Sequence, residues 1–147
     1  LEIFLTSALT IIGGVIIYAG GRIVEKFFIE PIHKQKEVIG EITDNLVFYA
    51  DLYSNPATSR DEKHDQASNH IKKLSSLLSG RTGVIPCYKL LSKICLVLPR
   101  GNISEAGSKL NVLSRSFYSR ETEKQGGLNQ EIVSEIKESL KIKTGES

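Results

Sequence analysis

Residues 3–21, IFLTSALTIIGGVIIYAGG, run for 19 positions without a charge. At 1.5 Å per residue a helix of that length measures about 29 Å, close to the roughly 30 Å of a bilayer's hydrocarbon core. Arg22 closes the run. Beyond it apolar residues recur at helical spacing as far as Asn55-Pro56, with no obvious loop signal between. The stretch from Leu1 to about Tyr53 therefore reads as a membrane anchor feeding an amphipathic helix. A cleaved signal peptide is the competing reading, because Ile17-Tyr18-Ala19 before Gly20 is a passable cleavage site. Against it, the run exceeds the usual apolar core of such a peptide, and Glu2 stands where basic residues would. The chain has no Met, even at position 1, which is compatible with a true start before Leu1.

Orientation follows from the basic residues. Arg22, Lys26, Lys34 and Lys36 follow the run closely and none precedes it, so the positive-inside rule puts the C-terminal bulk in the cytoplasm. Small residues within the run repeat at seven: Thr6, Gly13 and Gly20, then Ser7, Gly14 and Gly21. Such a ridge lets two helix backbones approach closely in lipid, and heptad spacing suits a left-handed crossing. Self-association, or docking against a partner's span, is the functional reading. The plain alternative is that glycine is common in membrane helices; it does not predict the seven-residue repeat, but two repeats make a short pattern, and both readings stand.

After Arg22 the positions Phe28, Ile32, Ile39, Ile42, Leu46, Tyr49 and Tyr53 follow steps of three and four, with Gln35 the one polar member. Val38, Val47, Phe48 and Ala50 widen this face, which favours a globular bundle over a two-stranded coil. Pro31 lies inside the pattern. It lacks an N–H and presses on the carbonyl of Phe27, so a kink or break is expected there, and Gly40 is a second soft point.

Four further helices follow from caps and spacing. Ser59-Arg60-Asp61-Glu62 reads as a capping box for a helix ending at Gly80. A shorter helix is expected over Ile85–Leu96, burying Tyr88, Leu91, Ile94 and Cys95, with Pro86 in its first turn. Pro99-Arg100-Gly101 reads as a turn, and Asn102 with Glu105 caps a helix burying Ile103, Ala106, Leu110, Leu113 and Phe117. Arg120 to Gly127 reads as an exposed loop. The last helix, Asn129 to about Ile142, buries Ile132, Val133, Ile136 and Leu140. The fold class is all-α, an N-terminal transmembrane helix continuing into a small antiparallel bundle. Residues 1–22 form the anchor, 23–143 the bundle and 144–147 a frayed tail. The long first helix is expected to be the one on which the other four pack.

Composition excludes several functions. The segment 22–147 carries 19 basic and 16 acidic residues, too balanced for a nucleic-acid footprint. Cys87 and Cys95, eight apart in one expected helix, lie about 12 Å apart along its axis, too far for a disulfide. Neither has a local catalytic base, and palmitoylation is disfavoured so far from the anchor. His64 and His70 are six apart and point in different directions. His64 with Asp61 makes at most half a metal site, and His33 reads as an exposed residue. Gly80-Arg81-Thr82-Gly83 lacks the Lys-Ser/Thr of a phosphate loop. No catalytic, cofactor-binding or metal site is assigned. Lys72, Lys73 and Arg81 form a small basic surface that touches acidic lipid only if the bundle folds back on the membrane.

Several pieces together resemble an uncharacterised family of short bacterial membrane proteins with one N-terminal span and a cytosolic helical domain. They are Phe28-Ile29-Glu30-Pro31-Ile32, Ile39-Gly40-Glu41-Ile42, Leu46-Val47-Phe48-Tyr49-Ala50, Asn55-Pro56, Ile85-Pro86-Cys87-Tyr88, Leu98-Pro99 and 103–114. These are packing and turn residues, so the resemblance implies topology and a bacterial inner membrane but no activity. The expected function is that of a non-enzymatic single-span protein whose bundle binds itself or another membrane protein. Membrane lipid is the other expected partner. A membrane-anchored signalling or defence effector, whose bundle senses a ligand, is the alternative.

Overall fold

The computed structural model describes residues 1–59, 61–118 and 121–142. The expected tail and Arg120 lie outside them. The chain is all-α, and among the described residues the only strand-like feature is an isolated parallel bridge between Ala57 and Tyr118. One helical path opens the chain: α1 (Glu2–Val24), a π-helical turn over Glu25–Ile29, and α2 (Glu30–Phe48). Among the described residues it is the one helix long and apolar enough to cross a membrane, and none of α1 is buried. Tyr49 breaks the path, and a short α3 (Ala50–Ser54) follows before Asn55-Pro56 ends the stretch.

The remaining helices are α4 (Glu62–Gly83), α5 (Tyr88–Lys93), α6 (Arg100–Arg115) and α7 (Thr122–Ser139). Hydrogen bonds between them fix an up-and-down order. The α2–α4 pair joins Gln35 to Thr82 and Tyr49 to His70, so the helices run antiparallel. Ser75 Oγ donates to the Gly107 carbonyl at 2.7 Å, and Ser68 to that of Ser114, which sets α6 antiparallel to α4. Asn102 Nδ2 reaches the Ser139 carbonyl at 3.1 Å, and α7 returns beside α6. The most extensive packing is between α4 and α6, so α2 is a flanking helix and not the centre. The core of Ile42, Leu46, Ile71, Leu74, Leu78, Leu110, Leu113, Phe117 and Ile136 is almost wholly sealed.

Several local expectations are corrected. Helix α4 starts at Glu62, with Asp61 at its cap position and no side-chain cap, so the box built on Ser59 does not form. It also runs past Gly80 to Gly83, because Thr82 stays helical to meet Gln35. The Ile85–Leu96 helix shrinks to Tyr88–Lys93, since Cys87 and Cys95 take positive φ values of 49° and 58° that stop it at both ends. Ile94 and Cys95 are exposed, not buried. Helix α6 begins at Arg100 with Pro99 at its cap position, and the Asn102 amide is spent on α7 instead of capping. Val47 and Phe48 face outward.

The expected loop before Asn129 is the largest correction, for α7 runs straight through Gly126 and Gly127. A Cβ at Gly126 would lie 2.0 Å from the Ser54 carbonyl oxygen, so the glycine is a contact face against α3 and not a hinge. Asn129, fully buried, completes that contact. Its Nδ2 donates to the carbonyls of Tyr53 (2.8 Å) and Ser116 (3.2 Å), satisfying acceptors that the ends of α3 and α6 leave open.

Gly126→Ala is expected to destabilise the bundle by about 3 kcal/mol, because backbone blocks the added methyl. Gly107→Ala, whose Cβ would rest 3.7 Å from the hydroxyls of Ser75 and Ser79, should be neutral or gain up to about 1 kcal/mol of helix propensity. Urea titration of the detergent-solubilised chain, followed by circular dichroism, measures both.

Candidate functional site

The residues singled out on the first helix fall into two zones. In α1 the ridge of Thr6, Ser7, Gly13, Gly14, Gly20 and Gly21 touches no other part of the chain, and a Cβ at any of the four glycines would meet open space. Thr6 Oγ1 donates to the Glu2 carbonyl at 2.8 Å and Thr10 Oγ1 to that of Thr6 at 2.9 Å. Both hydroxyls are thus tied within their own helix and need no outside partner. What remains is a smooth column of small residues.

The second zone is the junction. The proline does not break the helix; a π-helical turn spans Glu25–Ile29 immediately before it, with the Glu30 N–H donating to the Glu25 carbonyl five residues back. A widened turn of this kind accommodates a proline ring that would otherwise press on Phe27. One face of the junction is a charged stripe of Arg22, Glu25, Lys26, Glu30, His33 and Glu37. Arg22 pairs with Glu25 at 2.9 Å, and Lys34 with Glu30. The hydrogen bond from Lys34 holds the Glu30 carboxyl below its usual pKa.

The other face receives residues 84–99, the connector between α4 and α6. Phe28 and Ile32 pack against a small cluster of Ile85, Tyr88, Leu91 and Val97, separate from the main core. Gln35 locks it. Its buried Nε2 donates to Thr82 Oγ1 at 2.7 Å and to the Tyr88 hydroxyl at 3.1 Å. Thr82 passes its own proton to the Leu78 carbonyl and Tyr88 to that of Leu98, both within 2.7 Å. The Arg100 guanidinium lies over the Tyr88 ring, 5.0 Å from its centre. The polar member of the heptad stripe is therefore the residue that seats the connector on α2. Beside it, Gln35, Lys36, Ile39, Leu96, Pro99 and Lys141 border a cavity of about 310 Å³.

The histidines take separate places. His64 Nδ1 lies 3.0 Å from Asp61 Oδ2, so the pair forms, at the end of the bundle far from the junction. Tyr118 donates to Asp65 Oδ1 at 2.8 Å, and the His64 ring meets Phe117 edge-on. Asp65 and Tyr118 border an open recess with Thr58 and Ser59. His70 instead contacts the Tyr49 hydroxyl at 3.1 Å, and His33 stands exposed on the charged stripe. Among the described residues no three His, Cys, Asp or Glu side chains group closely enough to hold a metal. Gly80 to Gly83 is the last turn of α4.

No protein-family model, curated protein or solved structure matches this chain.

Two outcomes follow. Gln35→Leu should leave the main core folded while amide exchange across 84–98 accelerates, because Tyr88 and Thr82 lose the donor between them; exchange mass spectrometry resolves the two regions. His64 holds the Asp61 carboxyl below its usual pKa of 3.8 through their hydrogen bond. A lowered folded pKa adds stability that is present above the unfolded value and disappears as pH falls through the folded one. Asp61→Asn should therefore flatten the fall in stability below about pH 4, read from urea midpoints across acid pH.

Proposed function

We propose that α1 is a single membrane span, that the bundle lies on the cytoplasmic side, and that the protein is a non-enzymatic interaction module of a bacterial inner membrane. The observation that carries the reading is the exposure of the whole apolar run. Ten large apolar side chains between Ile3 and Tyr18 lie open, at least 57 % exposed each. Covering each is worth about 2 kcal/mol, so roughly 20 kcal/mol of burial is forgone, more than the 5–15 kcal/mol by which a domain is stable. A surrounding apolar medium recovers it. The side assignment rests on Arg22, Lys26, Lys34 and Lys36 following the run.

The module's role is self-association, or docking on another membrane protein, through the column of small residues. Its support is the uncovered state of that column together with internally tied threonines: nothing within one chain requires glycine there. The ligand-sensing alternative has one observation in its favour, the cavity beside Gln35 and Lys36, between α2 and the connector. Its volume is at the lower end of small-molecule sites.

Gly13→Ile with Gly20→Ile should weaken association of the full chain in a membrane two-hybrid assay and in vesicle energy transfer between labelled copies. Unchanged association with intact insertion would remove the role given to the column.

A further inference from the structure

Charge along the chain is unevenly placed. Residues 66–104 hold six basic residues, Lys72, Lys73, Arg81, Lys89, Lys93 and Arg100, and no acidic one, whereas the rest of the chain holds 13 basic and 17 acidic. Among the described residues none of the six is in an ion pair. The centre of this stretch is the connector, one of two places where the bundle exposes several large apolar side chains; the other, Val47 and Phe48 at the far end, has no such basic run beside it. Val84, Leu90 and Ile94 are 63 %, 61 % and 57 % exposed, and Leu96 nearly half. Lys89 and Lys93 stand exposed among them.

Its position in the fold gives that composition a meaning. The up-and-down order puts the α4–α6 connection at the end of the bundle where α2 enters from α1, and the far end carries α3 and the start of α7. The connector packs on Phe28 and Ile32, seven and eleven residues after Gly21, so it meets the helix about 10–17 Å beyond the last uncharged residue of the run. The headgroup layer on each face of a bilayer is about 5–8 Å deep, and interfacial segments sink their apolar side chains about 5–10 Å. Of the acids at this end, Glu25 and Glu30 are held by Arg22 and Lys34, Glu37 shares their stripe on the face opposite the connector, and Glu105 and Glu138 stand on α6 and α7, so none lies on the connector itself.

We propose that the connector 84–98 is a second membrane contact: it rests on the outer edge of the headgroup layer and reaches into it with Leu90, Ile94 and Leu96 while Lys89, Lys93 and Arg81 bind anionic lipid. The bundle is thereby held down on the bilayer beside its own span instead of swinging from it. The occupant is lipid and not nucleic acid because apolar and basic side chains alternate on one short segment at the anchored end. The proposal rests on the reading of α1 as a span.

The test uses the full chain, with both native cysteines changed to Ser, in vesicles of phosphatidylcholine with and without phosphatidylglycerol. A fluorophore is placed in turn at Ile12→Cys, Leu90→Cys, Ile94→Cys and Val112→Cys, and quenched by lipids spin-labelled shallow or deep. The expected result is deep quenching at 12, shallow quenching at 90 and 94 that removes at least half the emission in anionic vesicles, and none at 112. Lys89→Gln with Lys93→Gln should lower the docking equilibrium constant roughly thirtyfold. Quenching at 12 with none at 90 and 94 overturns the second contact and leaves the span standing. Shielding of 90 and 94 from aqueous iodide without lipid quenching identifies a protein occupant and also overturns it. Loss of quenching at 12 overturns the span, and the second contact with it.

Discussion

Gln35 is the polar group on which the arrangement of the bundle about its first helix depends. A buried amide must find partners, because leaving one unmatched costs about 1–3 kcal/mol. Here both donors are spent on groups from different elements, the end of α4 and the start of α5. An apolar residue at 35 could slide along its neighbours, whereas the amide admits one register of α2 against α4. Fixing that register places Thr82, then the connector, then the start of α6. Hydrogen bonds thus supply the specificity and the sealed aliphatic core most of the stability.

The two ends of the bundle are built by different means. At the far end, close backbone approach dominates: Gly126 lets α7 lie on Ser54, and Asn129 ties the ends of α3 and α6. At the junction the packing is looser, with a small separate cluster, a cavity and a short helix held between two left-handed residues. Rigid packing far from the first helix and sparse packing beside it make the junction the part best able to rearrange without unfolding the rest.

Periodicity carried most of what the sequence revealed. The buried faces of α2, α4, α6 and α7 follow three- and four-residue steps, and Ile103 through Phe117 are buried as the spacing demands. Boundaries were less legible because caps are local preferences that tertiary contacts override. Ser59 offers a good cap, yet α4 starts at Glu62; Gly126-Gly127 looks like a breaker, yet α7 needs Gly126 for closeness. The eight-residue spacing of the cysteines presumed one helix through both, and left-handed backbone at each removes that premise. At the junction Gln35 looked like a flaw in the stripe, since its partners lie 47 and 53 residues away. The connector's charge was hidden by a balanced total; counting acids segment by segment would have exposed it.

The π-helical turn has a consequence for azimuth. It spends about one residue more on its turn than an α-helix would, so everything after it is rotated back by about 100° relative to everything before. On an uninterrupted helix the column of Ser7, Gly14 and Gly21 would continue into Phe28, Gln35 and Ile42. With the extra residue, the column of Thr6, Gly13 and Gly20 lies beneath that face instead. A helix seated on that column arrives on the side of α2 that carries α4 and the connector. In the proposed self-association, pairing of the first helices and juxtaposition of the bundles would then be one geometric choice, set by a single residue's worth of winding.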